Sequence, residues 1–79
     1  MKNLFYITER KLYSQIRKGA IFTENFSDVY DKASDGKKDI YVFSCDGELF
    51  KRTFSNQGGN NYKLECHIKI NCCKKIIVI

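Results

Sequence analysis

The hydrophobic period changes once along this chain, and that change limits the folds open to it. Phe26, Val29, Tyr30 and Ala33 recur at i, i+3, i+4 and i+7, the spacing of one buried stripe on a helix. Thr23 is a good cap before the stripe, and Gly36 is a left-handed stop after it. Glu24, Asp28, Asp31, Lys32 and Asp35 fall off the stripe. The pattern predicts a helix over 24–35. From Asp39 onward the period is that of strands. Residues 39–45 are apolar on both parities, as in a central strand. Asp46-Gly47 is the strongest hairpin signal in the chain, so 48–54 reads as the return strand. Residues 55–61 read as a loop in which Gly58-Gly59 are free to adopt positive φ. Over 62–71 the chain alternates, with Tyr62, Leu64, Cys66, Ile68 and Ile70 on one side and Lys63, Glu65, His67, Lys69 and Asn71 on the other. A short last strand covers 74–79.

Ahead of the helical stripe, the aromatic and β-branched run 3–7 favours a strand. Leu12 and Ile16 lie one helical turn apart, after Thr8 as a cap and before Arg17-Lys18 and Gly19, which predicts a short helix over 9–18. The expected architecture is a single small α+β domain over 1–79. It has an antiparallel sheet of four to five strands, including a C-terminal meander, with one or two short helices packed on one face. Seventy-nine residues support one modest core, and 43% apolar with 29% charged residues is globular composition. Two-domain enzymes and large barrels are excluded by length. The apolar runs 4–7 and 76–79 are far shorter than the ~20 residues that span a bilayer. No membrane association is therefore expected. The expected location is the cytoplasm of the host cell, where thiols stay reduced.

Charge is distributed in blocks. Residues 1–20 carry five positive charges and one negative, 21–50 three and seven, and 51–79 six and one. Asp28, Asp31 and Asp35 stand at i, i+3 and i+7 on the predicted helix, an acidic ridge suited to a basic partner surface. Lys51, Arg52, Lys63 and Lys69 supply the rival surface. Interleaved with Tyr41, Phe43, Phe50, Phe54 and Tyr62, they would make a basic, aromatic sheet face of the kind that binds single-stranded nucleic acid.

Catalytic and metal chemistry leave little trace. Cys45, Cys66, Cys72 and Cys73 form no C-x-x-C pair, and Cys66 and His67 are neighbours that diverge on a strand. Cys66 takes the parity of the buried positions, and His67 the solvated one. Phosphate-binding, dinucleotide, zinc-protease and calcium-loop motifs are all missing. The expectation is no enzyme activity, no cofactor and no metal. The stretch 46–54, Asp-Gly-Glu-Leu-Phe-Lys-Arg-Thr-Phe, resembles the strand that carries the catalytic lysine of self-cleaving LexA-like repressors, with Ser14 upstream of Lys51. Ser14 stands in Leu-Tyr-Ser-Gln-Ile, where that family has Ser-Met after Gly, so no role is carried over.

Eleven Lys, nine Ile and six Asn with no Pro or Trp are the usage of a low-GC genome. A small chain of this kind, with segregated charge and no catalytic set, fits the phage and mobile-element proteins that evade host defence. The expected function is a non-catalytic inhibitor that docks on a nucleic-acid-handling host protein, such as a restriction or RNA-guided CRISPR nuclease, in an anti-CRISPR-like manner. The alternative is direct nucleic-acid binding, since two short helices before a Lys51-Arg52 hairpin resemble a winged helix.

Overall fold

The computed structural model describes residues 1–8, 12, 14–36 and 38–76. Strand β1 (Lys2–Ile7) forms over the aromatic and β-branched run Phe5-Tyr6-Ile7, and it becomes the centre of the fold. After it come β2 (Gln15–Ile16), β3 (Ile21–Thr23), helix α1 (Phe26–Gly36) and β4 (Ile40–Cys45). Helix α2 (Gly47–Thr53), β5 (Phe54–Gly58), β6 (Asn61–Leu64), β7 (Ile68–Lys69), a 3-10 turn (Ile70–Cys72) and β8 (Lys74–Ile76) complete the order. Six strands form one sheet in the order β5-β6-β3-β1-β4-β8, and β2 pairs with β7 in a separate ribbon. Every neighbouring pair is antiparallel. The architecture is a small α+β domain built on an antiparallel sheet.

Strand parity divides the apolar residues between the two sides of this sheet. Leu4, Phe22, Tyr41, Phe43, Cys45, Phe54 and Leu64 point to one side and join Ile16 and Ile68 of the ribbon in the major core. Phe50 of α2 packs against the same cluster. The other parity supplies Phe5, Ile7, Ile40 and Val42, which pack against Val29 and Ala33 of α1. The two helices therefore lie on opposite sides of the sheet. Helix α1 carries the chain from β3 over β1 to β4, and α2 carries it back across the other side to β5. These two crossovers travel in opposite directions over opposite faces, so they share one hand, as crossovers between parallel strands do.

Several sequence expectations are corrected. The expected helix 9–18 is irregular or extended where described: Ser14 is a bend, 15–16 is strand and 18–19 is a turn, with Gly19 at φ 98°. Its residues 9–11 and 13 lie outside the described ones. Ile16 is buried as a strand residue opposite Ile68. Helix α1 begins at Phe26, and Gly36 is its last residue without a positive φ. Asp46-Gly47 does not turn a hairpin. Asp46 caps α2, accepting a hydrogen bond from Leu49 N at 2.8 Å, so 47–53 is helix and not strand. The LexA-like and winged-helix resemblances both required an extended 48–54 and lose their footing there.

The expected loop 55–61 is largely the β5–β6 hairpin, turning at Gly59-Asn60, with Gly58 and Gly59 at φ of 116° and 56°. The strand expected over 62–71 is two strands in two sheets. Leu64 and Ile68 keep their inward parity, but Cys66 between them is exposed at the bend. A consecutive C-terminal meander is absent, because β6 borders β3, and β4 borders β1 and β8. The last strand is present over Lys74–Ile76, and 77–79 lie outside the described residues.

Candidate functional site

Helix α1 presents the acidic ridge. Its start is held by a relay of caps: Asn25 N donates to Thr23 Oγ1 at 3.1 Å, and Asn25 Oδ1 accepts from Ser27 N at 3.1 Å and Ser27 Oγ at 2.7 Å. Val29 and Ala33 anchor the helix to β1 and β4. At ~100° per residue, Asp28, Asp31 and Asp35 lie within about 60° of one another, opposite the anchored side, along roughly 10 Å of helix. All three are exposed, and none forms an ion pair among the described residues. On the opposite flank, at the margin of the anchored side, stand Phe26 and Tyr30, with ring centroids 5.7 Å apart. The sequence stripe places both in the core, yet they are 39% and 47% exposed. Phe26 keeps one edge contact, 5.2 Å from the Phe5 ring.

Open clefts lie at both ends of this helix. One of about 400 Å³ is bordered by Ile7, Lys32, Asp35 and Lys38, and one of about 450 Å³ by Lys2, Asn3, Phe5, Glu24 and Phe26. In the second, Lys2 Nζ sits 2.7 Å from Glu24 Oε1 and 4.7 Å from the Phe50 ring centroid. The Glu24 carboxylate, by hydrogen bond and then by charge, holds the Lys2 ammonium above its ordinary pKa.

The four expected basic residues do not assemble into one stripe. Lys51 and Arg52 are exposed in the last turn of α2, and Lys69 is exposed on β7, so these three share the major-core side of the molecule. Lys63 is opposite Ile21 and Ser55 on the α1 side, 3.9 Å from Glu65. The aromatic residues expected among them are core instead. Tyr41, Phe43 and Phe54 are buried, while Phe50 and Tyr62 pack on that core 4.9 Å apart. A basic stacking platform of the expected composition is therefore not formed.

The cysteines are all free. Cys45 is buried, and burial raises its thiol pKa. Cys73 is half-buried, and burial, helped by neighbouring Cys72, pushes its thiol up to about 11. Cys66, Cys72 and His67 are exposed. Among the described residues no group of three or more His, Cys, Asp or Glu side chains is arranged to hold a metal, and no helix is long and apolar enough to cross a membrane.

Exposed Arg17 and Lys18 fall within the expected helix 9–18, which hides their relation to Lys69. The alternation of 66–70 was the available signal, since it required a partner strand for the inward Ile68. Comparison of the chain with protein-family models, curated proteins and solved structures finds no match.

Proposed function

We propose that this protein is a non-catalytic inhibitor that docks through α1 on the phosphate-binding channel of a nucleic-acid-handling protein, such as a restriction or RNA-guided nuclease. The observation that carries the reading is the composition of α1's outward surface. It holds three carboxylates on one narrow arc, unpaired among the described residues, and the same helix leaves Phe26 and Tyr30 39% and 47% exposed at the margin of its packed side. A row of anions attracts a channel built for phosphates and steers its approach. Phe26 and Tyr30 add the rigid apolar anchors that carry most of the energy at protein interfaces. The cap relay and the Val29–Ala33 anchor hold the row in place before binding, so little ordering remains to be done. The cytoplasm of a host cell and a phage or mobile-element origin belong to the same proposal.

The test is DNA cleavage by a panel of purified restriction and RNA-guided nucleases. It is run at 200 mM salt with DNA substrate in excess over the protein, so that sequestered substrate does not pass for inhibition. The expected result is inhibition of at least one nuclease, relieved at least tenfold by D28K/D31K/D35K. A panel left fully active, or inhibited equally by the triple variant, removes the reading.

A further inference from the structure

The β2–β7 ribbon lies on the side of the sheet away from α1. Its strands pair at Gln15–Lys69 and Ile16–Ile68. Beyond these pairs, Ile70 N donates to Ser14 O at 2.9 Å, Gly19 N donates to Leu64 O at 2.8 Å, and Leu64 N donates to Ala20 O at 2.8 Å. Ile16 and Ile68 point inward and are buried in the major core, which fixes the ribbon to the domain. The outward positions are then Gln15, Arg17, Lys18, His67, Lys69 and Asn71, all exposed.

Each of these side chains has a hydrogen-bond donor, and none is a carboxylate. No Asp or Glu occurs in 14–20 or 66–76. The nearest in sequence, Glu65, is turned to the other side of the sheet, accepting from Ser55 Oγ at 3.0 Å and lying 3.9 Å from Lys63 Nζ. Arg17, Lys18 and Lys69 form no ion pair among the described residues, in contrast to Lys2, Lys63 and Lys75.

We propose that the outward side of the β2–β7 ribbon binds the sugar-phosphate backbone of nucleic acid. Phosphate contacts in such complexes come from Arg and Lys with Asn, Gln and hydroxyl donors, the set collected here. The guanidinium of Arg17 suits bidentate phosphate contact, and the residues 15–17 and 67–69 span roughly 10 Å on each strand, the reach of about two phosphates on one nucleic-acid strand. The ribbon's apolar residues are turned into the core, so it has no exposed anchor for insertion into a lipid surface. This site is separate from α1 and goes beyond the docking proposed for it.

The probe is a labelled 20-base-pair DNA duplex of arbitrary sequence, read by fluorescence polarisation. Binding is expected in the micromolar range at 50 mM salt. Three cations on duplex phosphates imply weakening of about 40-fold by 200 mM. R17E/K69E is expected to abolish binding, and the milder R17Q/K69Q to weaken it about tenfold. K63E/K74E changes net charge equally on the α1 side and should weaken binding by less than about threefold; D28K/D31K/D35K should not weaken it at all. Circular dichroism of each variant checks that the fold is kept. No binding at 50 mM salt overturns the proposal. So does equal loss in R17E/K69E and K63E/K74E, which would mean net charge alone. Tighter binding to phosphatidylserine vesicles or to polyglutamate than to DNA assigns the ribbon to a different partner and also overturns it.

Discussion

Phe22 is fully buried, with its ring 5.1 Å from Tyr6 on one side and 5.1 Å from Phe54 on another. Phe22→Ala should cost about 3–5 kcal/mol, as much as a core of this size supplies, and leave the chain unfolded in thermal melts at 37 °C. Phe26→Ala should cost only about 1–2 kcal/mol, because the residue is already 39% exposed. A urea titration separates the two. That contrast marks a limit of sequence periodicity. The spacing of Phe26, Val29, Tyr30 and Ala33 says that they share one side of a helix, but not how wide a strip the sheet covers. Helix α1 packs on β1 and β4, and only Val29 and Ala33 fall within that cover. The thiols make a second prediction. The raised pKa of Cys73 favours the neutral folded form, so its contribution is complete below pH 9 and is lost as pH climbs toward 11. The melting temperature should fall across that window, and Cys73→Ala should flatten part of the fall, with buried Cys45 carrying some of the rest.

Among the elements, α2 is the one sequence reasoning misassigned most. Asp46-Gly47 fits a two-residue hairpin and fits a helix start equally well, since Asp is a preferred N-cap. The deciding signals came after it: Glu48 in the first turn, Lys51 and Arg52 in the last, and Phe50 and Thr53 at i and i+3 turned to the core. Asp46→Ala should cost about 1 kcal/mol, read as a lower urea midpoint with an unchanged slope, while Asp46→Asn should cost much less. The opposite case is the turn between β5 and β6, where two adjacent glycines are free to take positive φ and both do so. The candidate surfaces divide in the same way. The ridge of Asp28, Asp31 and Asp35 was legible because one helix carries it, whereas the Arg17–Lys69 ribbon joins segments about 50 residues apart and needed the pairing itself.

For the whole molecule, the α+β class followed from the change of period, but the strand order did not. In the six-stranded sheet β5 and β6 pair through a direct hairpin, and β1 and β3 pair across the intervening β2; no other neighbours in space are successive strands. Local signals cannot report that β1 lies between β3 and β4, because that arrangement depends on which crossover buries more apolar surface. Such long-range pairing should make folding slow for 79 residues, on the order of milliseconds to seconds in stopped-flow refolding. Relaxation in microseconds would contradict the topology. The charge blocks of the sequence also change meaning once folded. Acidic α1 and the basic ribbon end on opposite sides of one sheet, giving a molecule with two electrically distinct surfaces.

The central place of β1 has a consequence for cutting the chain. A single nick between α1 and β4 leaves an amino-terminal piece whose main-sheet strands, β1 and β3, lie side by side in the middle. The other piece contributes β5 and β6 on one flank and β4 and β8 on the other. Neither fragment has a complete layer to fold on, and each needs the other to close its exposed edges. The domain is thus clasped around its first strand, and the two halves of a nicked molecule should stay associated and unfold together.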